Sequence, residues 1–326
     1  MGRTKMKKFL RNAVIAVSIS LAIIVIMQFF QGDLSNFFKI PKYVFITTFL
    51  GYVLMYFIGG LYTKIFLKFL GYEVRFLSAF ENYFFGNFFS YITPLYIGGQ
   101  PFQVYHLSKL GVKSEDATNM VMTRLFETFF VTLVLDIWIF SYAFKNLDFS
   151  NLGKGLIIVG FVSQVGLVIL ILTFMFFPKL FKIAMVPVFK LFKFDLNKLE
   201  NWLSNLKKSV NNVWKKDFYI ILIDTAFWFL MVCLHVVPYY LIFRHFSHFN
   251  ISFFRLVGVL SLLNSIAYYA PTPGAAGGIE GVYQISLSGI IRPSVISSAI
   301  FLWRLFSYYI PICFGLLFIW RVKDWQ

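Results

Sequence analysis

The chain is short of charge, and shortest of acid. Of its 326 residues, 14 are Asp or Glu and 30 are Lys or Arg, so charged residues make up only 13%. Soluble domains carry about a quarter, and an ordinary solvated surface is therefore excluded. Cysteine is scarce as well. Cys233 and Cys313 both fall inside apolar runs, which leaves no disulfide framework and no thiolate metal site. Of the four histidines, His245 and His248 are three apart beside Arg244, in a short connection that reads as interfacial rather than metal-binding. Neither a metal nor a cofactor is expected. There is no G-x-x-x-x-G-K-[ST] loop to cradle a nucleotide. The D-G-x-x-A-R pattern of alcohol phosphotransferases and the P-S-G-H pattern of lipid phosphatases are also missing, so an enzyme is not expected.

What is abundant is oil. The chain is 59% hydrophobic and 21% aromatic, and several apolar stretches reach the roughly 20 residues that cross a bilayer as a helix. The runs are Phe9–Phe30, Tyr43–Tyr62 (extending toward Leu70), Leu77–Leu110 with a break, Ala117–Tyr142, Leu156–Phe177, Phe218–Phe243, Phe253–Ile290 with a break, and Val295–Trp320. The first is too long for a signal-peptide core and lacks a small-x-small cleavage site, so it reads as an uncleaved transmembrane helix.

The net charge of +16 does not point to nucleic acid, because the cations lie in the gaps between apolar runs, where the positive-inside rule accounts for them. The basic start "MGRTKMKKFLR" belongs in the cytoplasm. So does the connection 178–216, which holds nine lysines (Lys179, Lys182, Lys190, Lys193, Lys198, Lys207, Lys208, Lys215, Lys216) against Asp195 and Glu200. Both ends of the chain come out cytoplasmic if the six unbroken runs cross once and the two broken runs enter and leave on one side. Pro101 to Leu110 is about 15 Å of helix, half the hydrocarbon thickness, which favours re-entrant hairpins. The expectation is an all-α polytopic protein of the cytoplasmic (inner) membrane, a single transmembrane domain over 1–326. It has about six full transmembrane helices plus two re-entrant helical hairpins.

The two broken runs resemble each other. Thr93-Pro94-x-x-x-Gly98-Gly99 recurs as Thr272-Pro273-x-x-x-Gly277-Gly278 at an offset of 179, and Arg124-Leu125-Phe126 recurs as Arg304-Leu305-Phe306 at an offset of 180. With one hairpin entering from each side, the halves form an inverted repeat, about 43–145 and 218–320, joined through 146–217. That arrangement is common in transporters with midplane sites.

Irregular backbone at membrane depth is tolerated only against protein or a wet cavity. Proline ends the incoming half-helix, and the outgoing one starts near Gln100 or Ile279–Glu280 with donors and a positive dipole end turned to the cavity. Arg124 and Glu127 share a helix face. With Glu280 and Arg304 they provide two arginines and two carboxylates, able to pair with one another or to hold a phosphate and exchange a proton. The candidate head-group cavity is therefore Thr93, Pro94, Gly98, Gly99, Gln100, Arg124, Glu127, Thr272, Pro273, Gly274, Gly277, Gly278, Glu280 and Arg304. Asp136, Asp224, Glu81, His106 and His235 read instead as pairing or helix-end groups. Leu199, Trp202, Leu203, Leu206, Val210 and Trp214 lie near helical spacing between lysines, as in an amphipathic helix resting on the inner leaflet.

"YITPLYIGGQPFQVYHLSKLGV", "TRLFETF", "APTPGAAGGIEG" and "WRLFSYYIPICFG" together resemble, in segment order over nearly the whole chain, the transmembrane flippase-like domain of lysylphosphatidylglycerol synthases. That domain also occurs as stand-alone proteins, some linked to hopanoid and isoprenoid-lipid metabolism. The resemblance implicates Pro94, Gly98, Gly99, Arg124, Pro273, Gly274, Gly277, Gly278, Glu280 and Arg304. Thr123 stands where an acidic residue is frequent, and Ala275-Ala276 where glycine is. The sequence ends at Gln326 without an aminoacyl-transferase region, so the resemblance implies only the lipid-translocating half.

The expected function is movement of an anionic or aminoacylated phospholipid, or a polyprenyl-phosphate lipid, between leaflets. The alternatives are an integral-membrane enzyme acting on lipid phosphates and a non-transporting scaffold. Partners would be membrane phospholipids or lipid phosphates, with no nucleic acid; homo-oligomer formation stays open.

Overall fold

A computed structural model describes residues 35–146, 149, 151–177, 179–180, 182–183, 196–216, 218–247, 251–267 and 272–318, with Ser18 and Ala22. The expected first transmembrane run, most of 178–195 and the last residues lie outside the described residues. Among the described residues the backbone is helical, and extended chain pairs only as an isolated bridge.

After a helical turn, α1 (Ser35–Phe38), come α2 (Lys42–Phe69), α3 (Phe76–Tyr91), α4 (Gly99–Lys109), α5 (Ser114–Asn146) and α6 (Asn151–Phe176). They are followed by α7 (Leu196–Asn211), α8 (Phe218–Phe246), α9 (Phe253–Ala267), α10 (Gly278–Leu287), α11 (Pro293–Arg304) and α12 (Ile310–Phe318). Among the described residues five stretches are long and apolar enough to span a bilayer: Lys42–Phe69, Ser114–Lys145, Ile157–Phe176, Phe218–Phe246 and Pro293–Phe318. They coincide with the five unbroken runs that fall within the described residues. Their outward faces are bare hydrocarbon: Ile46, Leu50, Ile137, Val162, Leu170, Leu222 and Leu317 are all more than half exposed. So large an apolar surface needs a hydrocarbon solvent, and the molecule is a multi-pass membrane protein.

The broken runs fold back on themselves. Asn82 Nδ2 on α3 donates to the Gln103 carbonyl (3.0 Å) and lies 3.1 Å from His106 Nδ1 on α4, so the two limbs run antiparallel. Gly99 allows the approach, because a Cβ there would strike the Gly86 carbonyl and the Ser90 hydroxyl. In the second hairpin Tyr283 of α10 reaches Asn264 of α9 (3.0 Å). The limbs have 16, 11, 15 and 10 residues, each below the roughly 20 that a full crossing takes. The starts of α4 and α10, and those of α5 and α11, are separated by the same 179 positions as the two Thr-Pro pairs.

The lysine-rich connection departs from expectation in one respect. Its helix α7 is amphipathic, with Lys207 and Lys208 outward, but Leu203, Leu206 and Val210 are buried against protein rather than turned to lipid. Leu206 and Val210 belong to a cluster with Phe126 of α5 and Val168, Ile171 and Met175 of α6. Polar contacts fix it there: Trp202 Nε1 to Ser114 Oγ (2.9 Å), Asn119 Nδ2 to Ser209 Oγ (3.0 Å), and Trp214 Nε1 to Thr123 Oγ1 (3.2 Å). Helical spacing reveals an apolar face; it does not reveal what covers it.

Candidate functional site

The two tips meet. Pro94 and Pro273 form the isolated antiparallel bridge, and the Tyr96 hydroxyl donates to the Gly274 carbonyl at 2.8 Å. Each tip is also tied locally. Thr93 Oγ1 accepts from Gly98 N (2.9 Å), while Thr272 Oγ1 donates to the Ala276 carbonyl (2.6 Å). Gly274 has a φ of +59° and lies under the Tyr308 ring, so a side chain is excluded by both conformation and space. Leu95, Tyr96 and Ala275 share that left-handed region without being glycine, at φ of 54°, 57° and 49°.

The anion seated at the second tip is internal. Glu280 Oε2 accepts from Gly277 N (2.9 Å), capping the start of α10. Arg304 clasps the same carboxylate, Nε to Oε1 at 2.8 Å and Nη2 to Oε2 at 3.0 Å. Its remaining donors reach the Gly274 (2.9 Å) and Ala275 (3.3 Å) carbonyls. Arg304 is 1% exposed and Glu280 0%. The helix widens into a π turn at Leu305–Tyr309, directly after this arginine. Beside it, Trp303 Nε1 donates to His235 Nε2 at 2.7 Å, and the Tyr52 hydroxyl lies 3.2 Å from His235 Nδ1. An indole N–H only donates, so His235 Nε2 is bare and the ring is neutral.

The other arginine is placed differently. Arg124 is the counterpart of Arg304, but the position matching Glu280 in the first hairpin is Pro101. Arg124 is buried on α5, and among the described residues its Nη1 and Nη2 have no hydrogen-bond partner. Its guanidinium is 4.2 Å from the Tyr83 ring centroid, 4.7 Å from Tyr62 and 6.0 Å from Trp228, whose Nε1 also lacks an acceptor.

Beside it lie two carboxyls, Glu127 of α5 and Asp224 of α8, which interact with each other and with Arg124 and Tyr62. A shallow cleft lined by Tyr62, Ile65, Ile220, Ile223, Asp224 and Phe227 opens between α2 and α8, and Ile223 at its edge is exposed. Between the two arginines runs a line of tyrosines. Tyr83 contacts Tyr56 (5.8 Å), Tyr56 interacts with Tyr91, and Tyr91 meets Tyr96 (6.1 Å) and Tyr308 (5.6 Å). Tyr308 lies 5.0 Å from Arg304.

Of the residues singled out from sequence, the structure thus gathers Thr93, Pro94, Gly98, Thr272, Pro273, Gly274, Gly277, Gly278, Glu280 and Arg304 around the joined tips. Gly99 serves limb packing, and Gln100 is half-buried beside it. Arg124 and Glu127 form a separate centre. Asp224, read from sequence as a pairing group, belongs to that centre. Its signal was a lone carboxylate two turns into the apolar start "FYIILID". Asp136 is fully buried on α5, and His106 faces Asn82.

Comparison with characterised proteins returns no match. The lysylphosphatidylglycerol synthase TM region matches over residues 13–315, nearly the whole sequence and every helix that builds both centres. The chain therefore belongs to the lysylphosphatidylglycerol synthase transmembrane-region family.

Proposed function

We propose that the protein moves an anionic lipid between leaflets, with the head group received at Arg124 and carried along the tyrosine line toward the joined tips. One observation carries this reading: among the described residues both terminal nitrogens of the buried Arg124 guanidinium are unpartnered, and Tyr62, over whose ring it lies, lines a small cleft between α2 and α8. Burying a cation without an acceptor is costly, and a phosphate supplies the planar pair of acceptors a guanidinium fork fits. Arg304 is already saturated by Glu280, so in this reading it holds the second hairpin and Arg124 binds the lipid. The matching order of helices and the pairing of Pro94 with Pro273 support an inverted repeat. The lysines of 178–216 support a cytoplasmic location for the Arg124 end. Tyrosine hydroxyls offer a head group successive hydrogen-bond partners within an otherwise apolar wall.

The test is transfer of fluorescent phosphatidylglycerol across proteoliposomes holding the purified protein. Arg124→Ala is expected to slow transfer while the fold stays intact. Equal rates in that variant and the wild type would remove the assignment.

A further inference from the structure

We propose that Glu127 and Asp224 form a proton-binding pair that couples anion binding at Arg124 to uptake of one proton. The inference rests on the reading of Arg124 as an anion site and adds what drives occupancy and release there.

The centre holds two acids and one base. Glu127 is 1% exposed, Asp224 4% and Arg124 8%. Both oxygens of Glu127 and Oδ2 of Asp224 receive no hydrogen bond from the described residues. Two adjacent carboxylates in a site of low dielectric do not both stay ionised; one proton is held between them. The resting centre is then neutral, with Arg124 positive and the pair carrying one negative charge. A phosphodiester arriving at Arg124 brings a second negative charge, which the desolvated site cannot hold uncompensated. The available remedy is a second proton on the pair. Binding thus takes up one proton, and loss of that proton expels the anion.

Among the described residues no other titratable group is placed to intervene. Tyr62 of α2 and Tyr83 of α3 are the remaining titratable side chains that face the centre. On α4, His106 is engaged with Asn82. On α7, Lys207 and Lys208 are exposed, as is Lys215 in the following turn. On α9, Arg255 lies over Tyr142, far along α5. Lys154 of α6 lies near the opposite end of the bundle from Ser114, as does Arg255.

The experiment is calorimetric titration of the full-length purified protein with dihexanoyl-phosphatidylglycerol, below its micellar concentration, in two buffers of different ionisation enthalpy at several pH values. The wild type is expected to take up about one proton per lipid, with Kd rising up to ~10-fold per pH unit as pH is raised. The double variant Glu127→Gln, Asp224→Asn, close in shape to the native pair but without a carboxyl to titrate, is expected to remove the uptake and flatten the pH dependence, whereas either single variant keeps one carboxyl and with it the uptake. Thermal unfolding of each variant verifies the fold.

Lipid binding by the wild type without proton exchange overturns the coupling and leaves the anion site standing. Absence of binding, or equal binding by Arg124→Ala, overturns the site and the coupling together. A parallel titration with glycerol 3-phosphate identifies the source of the anion. Binding as tight as that of the lipid, with the same proton uptake, would sustain the coupling and overturn the lipid assignment alone.

Discussion

Arg304 and Glu280 are joined through both carboxylate oxygens, at 2.8 and 3.0 Å, and neither side chain is accessible. Breaking one side of such a pair leaves a buried charge without compensation, which costs about 3–5 kcal/mol. Arg304→Ala is therefore expected to lower thermal stability in detergent severely. Glu280→Gln, which keeps the shape and one acceptor, should cost less. The double variant Arg304→Met, Glu280→Leu should recover part of the loss. Wild-type melting in Arg304→Ala would show that the clasp does not hold the second hairpin.

Arg124 predicts the opposite pattern. Among the described residues its terminal nitrogens have no hydrogen-bond partner, so Arg124→Ala forfeits the aromatic contacts and the attraction to the Glu127–Asp224 pair, which can take a second proton in compensation, and should stay within about 2 kcal/mol of wild type. Lipid transfer in liposomes should fall about 10-fold or more, since a charge-assisted bond to an anion contributes about 1.5–3 kcal/mol. A variant that melts early and transfers normally would reverse the roles given to the two arginines.

Leu95 and Tyr96 occupy consecutive left-handed positions at φ of 54° and 57°. For residues with a Cβ that conformation costs roughly 1–2 kcal/mol each. Leu95 is 44% exposed and packs little, so Leu95→Gly should raise stability, whereas the buried-side Tyr96→Gly should lose its bond to Gly274. Thermal unfolding of the two variants side by side distinguishes relief of strain from loss of contact.

Outside the spans, partial burial and the hydrogen bond to Asp116 (2.6 Å) raise the Tyr72 pKa above its usual value of 10. A raised pKa contributes stability that is fully present below the unfolded value and is lost as pH rises through the folded one. Between pH 9 and 11 the difference in melting temperature between wild type and Tyr72→Phe should shrink. A difference that stays flat across that range would exclude the Tyr72–Asp116 bond as its source.

Much of this arrangement can be read from the chain itself. Apolar length predicts the five described spans to within a few residues, because a bilayer imposes its thickness on every crossing helix. The Thr-Pro and Gly-Gly pairs predict where α3 stops and where α4 and α10 begin, because proline and glycine act on the backbone locally. Contacts between distant segments are less legible. That Arg304 reaches Glu280 while Arg124 finds no acceptor among the described residues depends on which residue stands opposite, a carboxylate in one hairpin and Pro101 in the other. Asp224 joins Glu127 only through the packing of α8 against α5, 97 positions away in the chain. The inward-turned face of α7 was hidden for the same reason, since Leu206 and Val210 would look identical whether lipid or α6 lay beneath them.

The bridge between Pro94 and Pro273 limits how firmly the tips can adhere. Neither residue has an amide hydrogen to extend the pairing into a ladder, and the Tyr96 hydroxyl bond to Gly274 lies beside it. Cohesion between the first and second parts of the chain comes instead from helix packing, chiefly α2 against α8 and α5 against α9. The seam between the tips is thus thin, and parting it would unzip no helix or sheet.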